Sequence, residues 1–232
     1  MKRIIFLILI QPLILLGQNN ISNYTDQNGL KQGYWEKYEN NILKYKGNFK
    51  DDIPFGKFTY YYSDGKIKSV TTFKNKGTSA ITTTYFRNGQ IMSEGSYKNK
   101  KKDNTWKYYN ENGVLISEEN YKDNIKQGVW KTYYTSGNKV EEVTWENGVK
   151  QGSWKQYFPD GTIKLEAYYK DDKLEGSAKY YYFTGEIMIE GNYKNGLKNG
   201  LWIYYNDKNE IDKKQIYNNG ALIKEEKIKS EK

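Results

Sequence analysis

The sequence predicts an all-β protein, an elongated antiparallel meander of about 16 strands forming a single twisted or curled layer. A 24-residue unit repeats along most of the chain, and most units carry an Asn-Gly-type or Asp-Gly-type pair between runs of aromatic and branched residues. Composition agrees: with 24 Tyr, 8 Phe and 6 Trp but low mean hydropathy, the chain is too aromatic for disorder and too polar for one compact core.

Taken in order, residues 1–17 have the layout of a Sec signal peptide. Lys2 and Arg3 precede an apolar run from Ile4 to Leu16, and Gly17 is followed by polar Gln18, Asn19 and Asn20. That run is shorter than the roughly 20 residues that span a bilayer, so cleavage after Gly17 is expected, with an uncleaved anchor as the alternative. No Cys follows to accept a lipid, which places the mature chain in the periplasm or outside the cell. Removal of the two cations takes the formal charge from +9 to +7. Residues 18–32 then read as an N-terminal cap.

Eight units span 33–223, starting at Gly33, Gly56, Ala80, Asn104, Gly128, Gly152, Gly176 and Gly200, with one deletion in the first. A Trp site lies two residues after the start, at Trp35, Trp106, Trp130, Trp154 and Trp202. Three residues further on, every unit has a Tyr, including Tyr61, Tyr85, Tyr109, Tyr133, Tyr157 and Tyr181. Pairs such as Asp64-Gly65, Asn88-Gly89, Asn112-Gly113 and Asp160-Gly161 suit the positive φ of a two-residue turn, making each unit a β-hairpin.

If those pairs are the loop residues, facing positions have a fixed index sum, and the register can be tested against charge. Lys107 then faces Glu118, Lys131 faces Glu142, Lys155 faces Glu166 and Lys179 faces Glu190. Such exposed pairs contribute only about 0.2–1 kcal/mol each but disfavour slippage. This register also puts the Trp site, the second aromatic of the first strand (Tyr62, Phe86, Tyr134, Phe158, Tyr182), the Ile site (Ile67, Ile91, Ile163, Ile187) and the aromatic ending the second strand on one apolar face. The starting Gly lies opposite that last aromatic, whose ring is expected to cover its bare backbone. The Lys–Glu pairs and the Tyr column take the other face. Where Asn-Gly joins consecutive units, a second two-residue turn sets Ile189 opposite Trp202. About 16 strands at about 4.8 Å each give a sheet about 75 Å long before curvature. The charged tail 224–232 is left as a second cap or a frayed end.

There is no Cys and no His, which removes thiolate nucleophiles, imidazole bases and the usual zinc ligands, and no nucleophile elbow, phosphate loop or calcium loop organises the remaining side chains. The chain therefore reads as non-enzymatic, with no cofactor and no metal. Arg3 and Arg87 are the only arginines. Lysine lacks the planar fork suited to bidentate phosphate contacts, which together with export argues against nucleic acid as a partner.

The unit resembles the MORN family in its bacterial variant form, over residues 26 to about 220. The unit from Gly176 matches well, with Tyr181-Tyr182, Gly185, Glu190-Gly191-Asn192-Tyr193 and Asn195-Gly196. Ala80 and Thr82 replace Gly and Trp in the third unit, and Asn209 replaces the turn Gly in the eighth. The resemblance implies an extended sheet of hairpins used as a binding or assembly scaffold, without catalytic residues or cofactor. Many bacterial members are labelled antitoxins, a role that export would separate from a cytoplasmic toxin. The leading expectation is an exported scaffold meeting a protein partner through the tyrosine column; the alternatives are a glycan or cell-wall binding module and an antitoxin-like neutralising partner.

Overall fold

The computed structural model describes residues 22–228, so the signal-peptide reading of residues 1–17 lies outside the described residues. The described chain is one antiparallel meander of 20 strands in which successive hairpins pair edge to edge along the sequence. A two-residue strand, β1 (Tyr24–Thr25), covers the first edge. The first four hairpins are β2–β3 (Lys31–Glu39, Ile42–Lys50), β4–β5 (Ile53–Tyr61, Ile67–Lys74), β6–β7 (Ser79–Tyr85, Ile91–Lys98) and β8–β9 (Lys101–Tyr109, Leu115–Lys122). In the fifth, the first strand is divided into β10 (Ile125–Lys126), which pairs back onto β9, and β11 (Gly128–Tyr133), which faces β12 (Lys139–Glu146). The sixth is β13–β14 (Val149–Tyr157, Ile163–Lys170). The seventh again divides its first strand, into β15 (Lys173–Leu174) on β14 and β16 (Gly176–Tyr181) against β17 (Ile187–Lys194). After β18–β19 (Leu197–Tyr205, Ile211–Asn218), β20 (Ala221–Lys227) covers the last edge, so the start of the charged tail is a strand. Two edge strands and two divided strands account for the excess over 16.

All four expected Lys–Glu pairs face each other across their hairpins. The route to that register differs from a two-residue turn. In the fourth hairpin Asn110 N donates to Val114 O at 2.9 Å and Gly113 N donates to Asn110 O at 2.9 Å, with Gly113 at φ +79°. This is a three-residue loop whose last residue is left-handed. Tyr109 then faces Leu115 while Tyr108 faces Ser117, leaving Ile116 as a bulge. The longer loop and the bulge cancel, restoring the expected index sum. In the first unit the missing residue comes out of the loop, which closes as a two-residue Asn40-Asn41 turn with both φ positive.

The bulge corrects one face assignment. Ile67 faces Tyr61, Ile91 faces Tyr85, Ile163 faces Tyr157 and Ile187 faces Tyr181, so these four lie with the tyrosine column and not with the tryptophans. A one-residue bulge moves every residue between it and the turn to the opposite side. Tyr62, Phe86, Tyr134, Phe158 and Tyr182 leave the strands altogether and open the tip turns.

A second correction concerns the links between hairpins. Ile189 faces Tyr204, not Trp202, because the register shifts by two positions between Glu190 and Asn192. The shift is taken up at the start of the next unit, where Gly33, Gly56, Gly128, Gly152, Gly176 and Gly200, and Asn104 in the fourth unit, all have positive φ. A β-carbon on Gly33, Gly56, Gly176 or Gly200 meets nothing within 4 Å, so no ring covers these glycines. The rings cover a different set: a β-carbon on Gly47, Gly95 or Gly191 would lie 2.4, 2.3 and 2.3 Å from Phe58, Trp106 and Trp202. The third unit is the exception that explains the rule. Ala80 resists positive φ, and β5 and β6 pair from Ser69–Thr84 to Lys74–Ser79 without a bulge. The two surplus residues go into the connecting turn, which holds a short 3₁₀ segment, Asn75–Gly77.

One face carries the core. Trp202 is 0% and Trp106 2% exposed, whereas Trp35, Trp130 and Trp154 are half-buried. The aromatics ending the second strands pack edge-on against this column, with Tyr97–Trp106 at 4.9 Å and Tyr193–Trp202 at 5.0 Å. A lysine column covers the rings from the solvent side. Lys102, Lys126 and Lys198 place Nζ 4.7, 4.4 and 4.3 Å from the ring centres of Trp106, Trp130 and Trp202, and Lys31 lies 5.2 Å from Trp35. The lysine stem buries apolar ring surface while its ammonium stays hydrated, which is how one layer hides large indoles.

Candidate functional site

The opposite face is built from one row of charge and one of tyrosine. Each Glu lies between the first strand of its own hairpin and that of the next, so it faces two residues: Glu118 faces Lys107 and Lys131, and Glu166 faces Lys155 and Lys179. Across the sheet Glu and Lys alternate without interruption from Glu94 to Glu190. The ammonium–carboxylate distances are 3.8 Å for Lys107–Glu118, 2.7 Å for Lys155–Glu166 and 3.9 Å for Lys179–Glu190. Lys131 faces Glu142 but sends its ammonium to Glu118 at 3.9 Å, and Glu142 takes Lys139 at 3.1 Å.

The tyrosine column is wired into this ladder. The hydroxyls of Tyr109, Tyr133, Tyr157 and Tyr181 donate to Glu94, Glu118, Glu142 and Glu166 at 2.7, 2.9, 2.6 and 2.8 Å, each reaching the glutamate of the preceding unit. Tyr61 and Tyr85 stand outside the pattern, because Lys46 and Val70 occupy the acid's position. Lys46 lies 5.7 Å from the Tyr61 ring centre. Tyr157 is buried and the other five are half-buried. Tyr109, Tyr133, Tyr157 and Tyr181 thus each tie one hairpin to the previous one. The tips do likewise: Tyr62, Tyr134 and Tyr182 donate to the carbonyls of Tyr85, Tyr157 and Tyr205 at 2.7, 3.1 and 2.7 Å.

These contacts set the titration of the ladder. Lys155, the larger influence, and Tyr181 hold Glu166 below the ordinary carboxylate value of 4.5, and Tyr157 and Lys139 hold Glu142 low against the burial that would raise it. Burial and then the Glu94 hydrogen bond push Tyr109 up to about 12; burial and then Glu166 push Tyr181 up to about 12. A depressed carboxylate stabilises the fold above its unfolded pKa and loses that contribution as pH falls through the folded value. A raised phenol stabilises it below its unfolded pKa of 10.0 and loses that contribution as pH rises toward about 12. The urea midpoint is therefore expected to be flat through neutrality, falling below about pH 4.5 and again above about pH 10. A midpoint unchanged between pH 10 and 12 would refute the tyrosine half.

Among the described residues no group of three or more acidic side chains is arranged to hold a metal ion, and no helix is long and apolar enough to cross a membrane. The lysine cover and the tyrosine–glutamate wiring were both missed in the sequence, although Lys102, Lys126, Lys150 and Lys198 recur at the 24-residue period.

No curated protein matches the chain. Among solved structures, a porin-like protein from Bacteroides uniformis is 9% identical, covering 82% of this chain and 91% of that one with a TM-score of 0.21. The model of the MORN repeat variant matches six segments, residues 56–75, 80–99, 102–123, 126–147, 150–171 and 174–195, which together make up more than half of the sequence. These are the second to seventh hairpins of the meander, and the chain belongs to the MORN repeat variant family.

Proposed function

We propose that this protein is an exported, non-enzymatic scaffold that binds a protein partner through its charged, tyrosine-bearing face. The observation that favours this reading over glycan stacking along the array is the state of the tryptophans. Stacking on sugars needs open indole faces, and here Trp35, Trp106, Trp130 and Trp202 lie under lysines, with Trp106 and Trp202 almost wholly buried. The Lys–Glu ladder instead offers a long row of alternating charge, whose pattern suits electrostatic complementarity with a protein. Export rests on the N-terminal Lys-Arg and apolar run.

Two measurements test the proposal. Mass spectrometry of the protein from the native envelope or medium is expected to find a chain lacking residues 1–17; a cytoplasmic, full-length chain would refute export. Chemical crosslinking in envelope extract is expected to yield one saturable protein adduct, lost in the double variant Lys131→Glu/Lys155→Glu and retained in Trp130→Ala. Loss with Trp130→Ala alone, accompanied by loss of saturable binding on a glycan array, would overturn the scaffold reading in favour of the glycan one.

A further inference from the structure

The aromatic column at the tryptophan site, which Phe58 continues in the second unit, is broken twice, at Thr82 in the third unit and at Ala178 in the seventh, and the two gaps are treated oppositely. Around Ala178 the space is closed: Leu165, Leu174, Tyr180 and Ile189 pack there, and Ala178 is 0% exposed. The same four repeat positions in the third unit are Ser69, Thr78, Thr84 and Ser93. Nothing large fills the gap, and a cavity of about 520 Å³ opens there, within the range of small-ligand sites.

Its chemistry is two-sided. Tyr60, Phe73 and Tyr97 contribute aromatic surface, Phe73 while packing on Phe58 at 5.1 Å and Tyr97 while packing on Trp106 at 4.9 Å. The floor is hydroxylic: Thr71 and Thr82 are buried and share one hydrogen bond at 2.9 Å, and Thr84 pairs with Ser93 at 2.7 Å. Two hydroxyls sharing one bond keep a free donor and spare acceptor sites. A ligand matched to both must present C–H faces to rings while donating and accepting hydrogen bonds at its rim. An aromatic side chain lacks that rim, and an anion would need donors only.

We infer that the third repeat holds a carbohydrate site, taking one pyranose ring between Phe73 and Tyr97 with its hydroxyls on Thr71 and Thr82. The site lies on the face opposite the Lys–Glu ladder and stands independently of the protein-scaffold reading. Lys68 and Lys100 at the margin allow an acidic sugar as well as a neutral one.

Isothermal titration with tetramers of β-1,4-linked glucose, β-1,4-linked N-acetylglucosamine and α-1,4-linked galacturonic acid tests it. Saturable one-site binding of at least one of them is expected. Ser69→Leu/Thr84→Tyr, which copies the seventh repeat's own filling, is expected to abolish it. Thr71→Val/Thr82→Val, which keeps shape and removes hydroxyls, is expected to weaken it about tenfold or more. Lys131→Glu/Lys155→Glu is expected to leave sugar binding unchanged, separating this site from the ladder. Circular dichroism verifies folding; should the filled variant unfold, the valine pair decides. Binding of none of the three sugars, binding that survives either cavity variant, or selective uptake of an indole-bearing peptide instead would overturn the inference.

Discussion

Alanine in place of Trp202 is expected to cost about 3–5 kcal/mol, with the damage confined to one end of the array. The indole is fully buried, donates from Nε1 to Asn192 O at 3.2 Å, rests on the bare backbone of Gly191 and meets Tyr193, Tyr180 and Tyr217 at 5.0, 6.4 and 6.4 Å. Removing it leaves a void that single-layer neighbours cannot collapse into, and uncovers the apolar stem of Lys198. Each repeat contacts only its neighbours, so the loss does not spread evenly. Amide exchange is expected to show the strands from Ile187 to Asn218 losing protection while those from Lys31 to Lys122 keep theirs. Uniform loss along the chain would show that the sheet unfolds as one unit and refute the repeat-by-repeat account.

The second large effect separates two kinds of glycine. Gly95→Ala places a β-carbon 2.3 Å from the Trp106 ring, and the overpacking is expected to cost about 1–3 kcal/mol. Gly56→Ala meets open space and is strained only through its φ of +63°, at about 1–2 kcal/mol. The totals overlap, so the discriminating measurement is coupling. In a double-mutant cycle Gly95→Ala is expected to be strongly non-additive with Trp106→Leu, and Gly56→Ala additive with Phe73→Leu to within about 0.5 kcal/mol. Additivity at Gly95 would mean the ring does not rest on that backbone.

The contrast also explains which parts of the molecule were legible in the sequence. The repeat, its strands and the pairing of Lys155 with Glu166 follow from the period and an index sum, both of which count residues and nothing else. An index sum reports a net register. A two-residue turn and a three-residue loop followed by a bulge at Ile116 give the same sum, so the side on which Ile67, Ile91, Ile163 and Ile187 emerge is invisible to it. The same blindness assigned the ring-covered position to the starting glycines instead of Gly95 and Gly191. Of the candidate site, the six tyrosines were found as a column, but the hydroxyl partners of Tyr109, Tyr133, Tyr157 and Tyr181 lie one hairpin back, a relation set by the link between hairpins. That link hides a two-residue shift. The cavity beside Thr82 was visible only as a departure from the pattern, and became a site once the seventh repeat showed what filling such a gap requires.

The loop at Asn40-Asn41 bears on how such a chain can change length. One residue fewer at a tip left Trp35 facing Gly47 and Lys46 facing Glu36, with every downstream unit in step. The same loss within a strand would turn the remainder of that hairpin inside out, exchanging charged residues for rings. Tips are thus the natural places to graft a peptide epitope or a labelling tag, and whole repeats the natural increments for lengthening or shortening the ribbon.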